Sequence, residues 1–233
     1  MESEKIEDIQ RAELFRDYLI EEKCEFRHYR ATNFLKEAHF YLETFEEFIS
    51  KEKSSELTQL DKHADRLPES QRGAFWAQYY PIHWSEIFEK QLRSSFIISL
   101  SSFAEDYLKH ICWEVAIIER VHEDPREWGH SIFKETRKFL KNQGGFSSPT
   151  DSDWTFLYRI YDIRNVYVHH GGNLNRCRDA SKIEKFISLQ PGISESNGFI
   201  ELEKEFCFVV LEVVERMIRS LYEEQVAFCT RAA

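Results

Sequence analysis

The stretch from about residue 84 to 121 constrains the fold most. It places Ile87, Phe88, Leu92, Phe96, Leu100, Phe103, Tyr107, Leu108 and Ile111 at three- and four-residue spacing, uninterrupted by Gly or Pro. That period lines one face of a long helix and does not match the two-residue period of a strand. Other stretches repeat it. Ile6, Ile9, Phe15, Tyr18 and Leu19 recur through residues 4–22. After Thr32 or Asn33 as a helix cap, Phe34, Leu35, Ala38, Tyr41, Leu42, Phe45 and Ile49 follow. Leu202, Phe206, Val209, Val213, Met217 and Leu221 stripe a last helix over about 200–228.

Between these stripes the pattern is shorter. The first 50 residues read as one long helix or two, and a short helix is expected around 56–66 before Pro68. A basic helix at 130–141 stops at Gly144–Gly145, as a C-terminal cap requires. A Ser/Pro/Asp-rich loop then leads into a helix over about 153–169, which ends at Gly171–Gly172. A short helix fits 180–188, and Pro191–Gly198 reads as a turn region. His122–Trp128 reads as a loop around Pro125. Asn165–His169 and Phe206–Val214 carry β-branched residues that also suit strands. Their surroundings favour helix, so the expected fold class is all-α.

Composition supports that reading. Only 8 Gly and 5 Pro punctuate 233 residues, too few for a turn-rich β-sandwich. A 42% hydrophobic chain with 19 Phe can bury a core without staples. The net charge of −10 argues against a protein that coats DNA through its overall field, but leaves room for a local basic site. Five Cys, at 24, 112, 177, 207 and 229, contain no Cys-x-x-Cys and define neither a disulfide framework nor a zinc ribbon. The opening MESEKIEDIQ is not a signal peptide, and the apolar runs are too short for a membrane span. A cytoplasmic protein is expected.

One segment carries chemistry: Tyr161-Asp162-Ile163-Arg164-Asn165-Val166-Tyr167-Val168-His169-His170-Gly171-Gly172. On a helical wheel, Leu157, Ile160, Tyr161 and Val168 define an apolar arc with Arg164 at its middle. Asp162, Asn165 and His169 form a neighbouring polar stripe. A charge on an apolar face needs an anion, because an unpaired buried ion costs several kcal/mol. Arg159, Arg164, Arg176 and Arg178 meet only Asp162 within residues 154–178, a basic island in an acidic chain. The plainer reading makes Arg164 a structural ion pair, with Glu105 or Asp106 as its counter-ion. His169 and His170 are adjacent and point about 100° apart, so they cannot chelate one metal together. No metal or cofactor is expected. Lys134, Arg137, Lys138 and Lys141 form a solvated stripe that would also suit an RNA backbone.

Arg164-Asn165 followed by His169 resembles the R-x-x-x-x-H signature of HEPN-domain proteins, with a polar residue directly after the Arg. The string Ile163-Arg164-Asn165-x-x-Val168-His169-x-Gly171-Gly172 is similar to a prokaryotic form of it. Ser99-Leu100-Ser101-Ser102-Phe103-Ala104-Glu105-Asp106-Tyr107-Leu108 resembles the family's first core helix. The resemblance covers about residues 82–225. It implies a HEPN-like helical bundle over 81–233, with residues 1–80 as an N-terminal helical extension. It also implies a homodimer whose motifs face one another, and a metal-independent endoribonuclease of a toxin–antitoxin or antiviral defence system, with an antitoxin or other defence protein as its partner. In that reading Arg164 holds the scissile phosphate of RNA, His169 is the general acid or base, and Asn165 orients one of them. Glu105, Asp106 and His170 would be supporting residues. Some members carry a Tyr two residues after the motif His as a modification site; here that position is Gly171. Other members keep the fold without cleaving, so a non-catalytic nucleotide- or RNA-binding module, or a protein-interaction module, is the alternative.

Overall fold

The computed structural model describes residues 24–121, 125, 128 and 132–231. The expected helix at 4–22 lies outside the described residues, as does most of the expected loop at 122–128. The rest is all-α with one small hairpin. Helix α1 spans Glu25–Ala64 and α2 spans Glu69–Tyr79. A π-helical turn at Trp84–Glu89 runs directly into α3, Lys90–Ile118. Then come α4 at Ile132–Asn142, α5 at Asp151–His170, a 3-10 turn at Leu174–Arg176 and α6 at Ala180–Ile187. Strands β1 (Ile193–Ser196) and β2 (Phe199–Leu202) pair antiparallel before α7, Lys204–Arg231.

Helix α3 is the hub. It packs on α7, α5, α4 and α1. Its buried residues run from Leu92 through Ile97, Leu100, Leu108 and Ile111 to Val115, on more than one side of the helix. An all-round apolar helix belongs at the centre of a domain. Leu35, Leu42 and Ile49 of α1 join the same continuous core as Leu157 and Ile160 of α5, Ile183 of α6 and Leu211 and Leu221 of α7. The segments at 165–169 and 206–214, which also suited strands, are helical.

Two expectations are corrected. Residues 50–64 continue α1 instead of forming a separate short helix. The apolar stripe fades there, and polar tertiary contacts replace it. Lys53 Nζ donates to Ser85 Oγ and to Glu89 Oε1, each at 2.9 Å, and Trp84 Nε1 donates to Glu56 Oε2 at 2.7 Å. A further helix, α2, starts beyond Pro68, where none was expected. The second correction is the hairpin, which occupies the expected turn region and the start of the expected last helix. Ile193–Ser196 and Phe199–Leu202 flank Asn197-Gly198, whose φ values of 52° and 84° fit a two-residue turn of the primed type. That turn matches the twist of paired strands, so helix formation is postponed to Lys204.

The hairpin clamps the end of α5. Leu174 N donates to Gly198 O at 2.7 Å and Ile200 N to Gly172 O at 3.0 Å. Tyr167 Oη donates to Ile200 O at 2.9 Å. On its far side, Arg93 Nη1 donates to Leu202 O at 3.0 Å while Glu46 grips Arg93 at 2.7 and 2.9 Å. A chain of polar contacts thus runs from α1 through α3 and the hairpin to the segment carrying Arg164 and His169.

Candidate functional site

Helix α5 is fixed at both ends. Thr150 is its N-cap and its hydroxyl accepts from Asp153 N at 3.2 Å. Asp153 is buried and also meets Arg216. Burial works against its ionisation, but the Arg216 and Thr150 hydrogen bonds outweigh that and hold the carboxyl below its ordinary value. At the other end, Gly171 adopts φ 60°. Its N–H donates to Tyr167 O at 3.1 Å and the Gly172 N–H to Val166 O at 3.2 Å, closing the last turn. The expected stop at Gly171–Gly172 is found there.

The buried face of α5 is Trp154, Leu157, Ile160, Ile163 and Val166. Tyr161 is half-buried and Val168 is 44% exposed, so the apolar arc drawn through Val168 is corrected. Neighbouring helices cover the first half of that arc, but the cover ends before the last turn. Tyr161, Arg164, Asn165, Val168 and His169 therefore emerge along a partly open side of the helix.

Arg164 is half-buried and has no carboxylate partner among the described residues. Its Nη1 donates to Asn165 Oδ1 at 2.9 Å. Its guanidinium carbon lies 5.8 Å from the centre of the Tyr161 ring. Its Nε is buried without a hydrogen-bond partner. The expected counter-ions are engaged within their own helix: Glu105 with Lys109 at 3.0 Å, and Asp106 with His110 at 3.6 Å. Neither forms an ion pair with Arg164. Asp162 is taken by Arg159 at 2.8 Å.

His169 is exposed and His170 half-buried, with their rings 6.4 Å apart and tilted. Asn165 stands one helical turn before His169, a spacing that brings Cβ atoms to roughly 6 Å. Arg164 and His169, five residues apart, point about 140° apart around the helix, with Asn165 between them. One copy of α5 thus presents an Arg–Asn pair and a separate imidazole, not a closed triad. Arg176 and Arg178 are exposed just beyond the helix. Lys134 and Arg159 add to the pull that Lys182 chiefly exerts on the Asp179 carboxyl, which lies below its ordinary value. Arg137 pairs with Asp151, while Lys134, Lys138 and Lys141 are exposed.

Two further tyrosines matter, Tyr161 of the apolar arc and Tyr167 inside the motif. Tyr161 supplies the ring beneath Arg164, a contact its three-residue offset from Arg164 permits. Burial pushes the Tyr167 phenol well above its ordinary value, so it stays a neutral donor to the hairpin. Beside it a groove of about 750 Å3 opens between Lys90, Ser94, Tyr167, Gly171 and Phe199, but Arg164, Asn165 and His169 do not line it. Among the described residues no three His, Cys, Asp or Glu side chains converge as a metal site requires, and no helix is long and apolar enough to cross a membrane. Comparisons with family models, with curated proteins and with solved structures give no match to this chain.

Proposed function

We propose that the chain is a metal-independent endoribonuclease of the HEPN type, acting as a homodimer. The observation that carries this reading is Arg164: a half-buried guanidinium steadied by Asn165 and Tyr161, with no carboxylate among the described residues to neutralise it. A guanidinium held without a carboxylate suits a phosphate, which it can grip through two parallel hydrogen bonds. The nearby imidazole of His169 suits proton transfer.

The reaction would use RNA's own nucleophile. One imidazole removes the 2′-hydroxyl proton, and the 2′-oxygen attacks the adjacent phosphorus. The bond from phosphorus to the 5′-oxygen breaks, and a second imidazole protonates that leaving oxygen. Arg164 holds the phosphate and offsets the charge that builds on it. Two imidazoles in different protonation states are needed, and one copy offers one His169. The divergence of Arg164 and His169 around the helix likewise suits a cleft shared by two copies. DNA, lacking the 2′-hydroxyl, would be inert. A place in a toxin–antitoxin or antiviral defence system follows from the family resemblance.

The test is incubation of total RNA with the purified protein in excess EDTA, beside His169→Ala and Arg164→Ala. Cleavage by wild type alone, leaving 2′,3′-cyclic phosphate ends, is expected. Cleavage by both variants at the wild-type rate would overturn the proposal. RNA or nucleotide binding without turnover would replace it with the binding-module reading.

A further inference from the structure

Helix α1 carries an unusual surface. Phe26, Tyr29, Phe34, Phe40, Tyr41, Phe45 and Phe48 are each between 37% and 65% exposed. At about 100° per residue they occupy one broad side of the helix, away from the buried stripe of Ala31, Leu35, Leu42 and Ile49. Two are partly braced: Phe34 stacks on Phe103 with centroids 4.0 Å apart, and Tyr41 leans on Phe45 at 4.7 Å. A single exposed aromatic means little, but seven on one side of one helix mark a contact surface.

We propose that this face of α1 binds the same face of a second copy, with the two helices antiparallel about a two-fold axis at Glu37. In that register Phe26, Arg30, Glu37, Thr44 and Phe48 lie near the middle of the seam and the other rings lie on its flanks. Phe26 falls level with the partner's Phe48, Tyr29 with the partner's Phe45, and Phe34 with the partner's Phe40. Asn33 falls level with the partner's Tyr41, and Arg30 with the partner's Thr44. Each of these layers occurs twice, as a two-fold interface demands. Arg30 already lies over the Phe26 ring at 5.9 Å, so its charge rests on an aromatic face of the seam. The segment from Phe26 to Phe48 is roughly 33 Å long. Its seven rings offer roughly 700 Å2 per copy, taking about 200 Å2 for a whole ring. A stable interface needs about 800 Å2 per partner, and the flanking polar side chains can make up the difference. The axis position is the one repulsive layer, because Glu37 meets itself.

The inference shares with the ribonuclease reading the association of two copies, but not the cleft at Arg164 and His169, so loss of the Phe40 effect would overturn this interface alone. Helix α1 packs on α7 and α3, and the test reads association, not cleavage. Sedimentation velocity of the full chain across a micromolar concentration series is the experiment, with circular dichroism to confirm that each variant keeps its helix content. Wild type is expected to dimerise. Phe40→Glu should leave monomer, and Glu37→Gln should tighten the dimer. Exposed Thr44 reports the register. Thr44→Glu sets two carboxylates level with two Arg30 side chains and should tighten the dimer about fivefold, whereas Thr44→Arg sets like charges there and should weaken it by a similar factor. Adding Arg30→Glu to Thr44→Arg makes the pairs opposite again and should reverse the loss. A wild type that stays monomeric overturns the proposal, including one whose face is covered by its own leading residues. So does a dimer indifferent to Phe40→Glu. A double variant as weak as Thr44→Arg alone rejects the register.

Discussion

Arg27 and Arg164 begin from the same problem and end differently. Both lie on helices and both are partly withdrawn from water. Arg27, on α1, reaches across to α3 and meets Glu114 at 2.6 Å, with Gln225 of α7 at 3.1 Å and the Tyr107 ring at 5.6 Å. Glu114 is almost wholly buried and also accepts from Gln225 and from Cys24 Sγ. Burial raises the neighbouring Tyr107 phenol to about 12, so that cluster holds one anion, one cation and neutral donors. Arg164 meets only an amide oxygen and a ring among the described residues. The first arginine joins three helices; the second is left without an ion pair among the described residues. The type of residue and its half-burial do not separate the two roles. The presence or absence of a carboxylate does.

The largest expected effect breaks the first site. Arg27→Ala leaves Glu114 buried without its cation, which costs about 3–5 kcal/mol. For a chain of this size that lowers Tm by roughly 10 °C, measurable by calorimetry. Arg164→Ala should change Tm by no more than about 2 °C, because no ion pair is lost and a buried unpaired Nε is removed. If Arg164→Ala destabilises as much as Arg27→Ala, the contrast collapses and Arg164 is a structural residue.

The next effect lies in activity. On the ribonuclease reading, Arg164→Ala should slow RNA cleavage by about 10²–10³-fold, as loss of one charge-stabilising donor does elsewhere. Arg164→Lys should recover only part of it, because an ammonium cannot bridge two phosphate oxygens or lie flat on Tyr161. Asn165→Asp sharpens the comparison, since it gives Arg164 the carboxylate that Arg27 has. It should hold or raise Tm while weakening RNA binding. Measured together, Tm and binding would move in opposite directions; movement together would sink the idea.

These contrasts show what the sequence disclosed and what it hid. The repeat of Leu35, Leu42 and Ile49 was enough to place the middle of α1 but not its start, since the helix begins at Glu25 and Thr32 and Asn33 lie inside it instead of capping it; two glycines after His170 were enough to place the end of α5. Local signals of that kind depend only on neighbours along the chain. The continuation of α1 past residue 50 depends on Ser85, Trp84 and Glu89, which lie some thirty residues away in sequence. The hairpin did have a local signal, Asn197-Gly198 between alternating segments, but the helical stripe that starts at Leu202 and runs to Leu221 extended the expected last helix back over its second strand. Spacing put Arg164 on an apolar arc and Asp162, Asn165 and His169 on a polar stripe, and it was the R-x-x-x-x-H resemblance that grouped Arg164, Asn165 and His169 as one candidate site. That Glu105 and Asp106 turn to Lys109 and His110 could not be read from the sequence, because either choice satisfies helical spacing.

A smaller, pH-linked effect tests how α5 is anchored at its start. Asp153 has a folded-state value below its ordinary one of 3.8, through Arg216 and Thr150 acting against burial. A depressed carboxyl stabilises the fold above its unfolded value and loses that contribution as pH falls through the folded value. Asp153→Asn should therefore cost about 1–2 kcal/mol near neutrality, with the gap from wild type closing as pH falls below 3.8. Urea midpoints across that range give the check; a gap that widens toward acid would contradict the sign.

The smallest effect is at the other end of the same helix, and it separates backbone geometry from packing. A Cβ at Gly171 would meet nothing within 4 Å, so space does not exclude a side chain there. The φ of 60° does, since that left-handed conformation costs an alanine about 1 kcal/mol and an asparagine less. Gly171→Ala should thus lower stability by about 1 kcal/mol and Gly171→Asn by a fraction of that. Gly172 contrasts with it. Its φ is 83°, and a Cβ there would come within 3.0 Å of the Tyr167 ring that holds the hairpin, so Gly172→Ala should cost more than Gly171→Ala. Equal costs at both glycines would mean that Tyr167 gives way freely. The hairpin would then not be what fixes the end of α5, where His169 is presented.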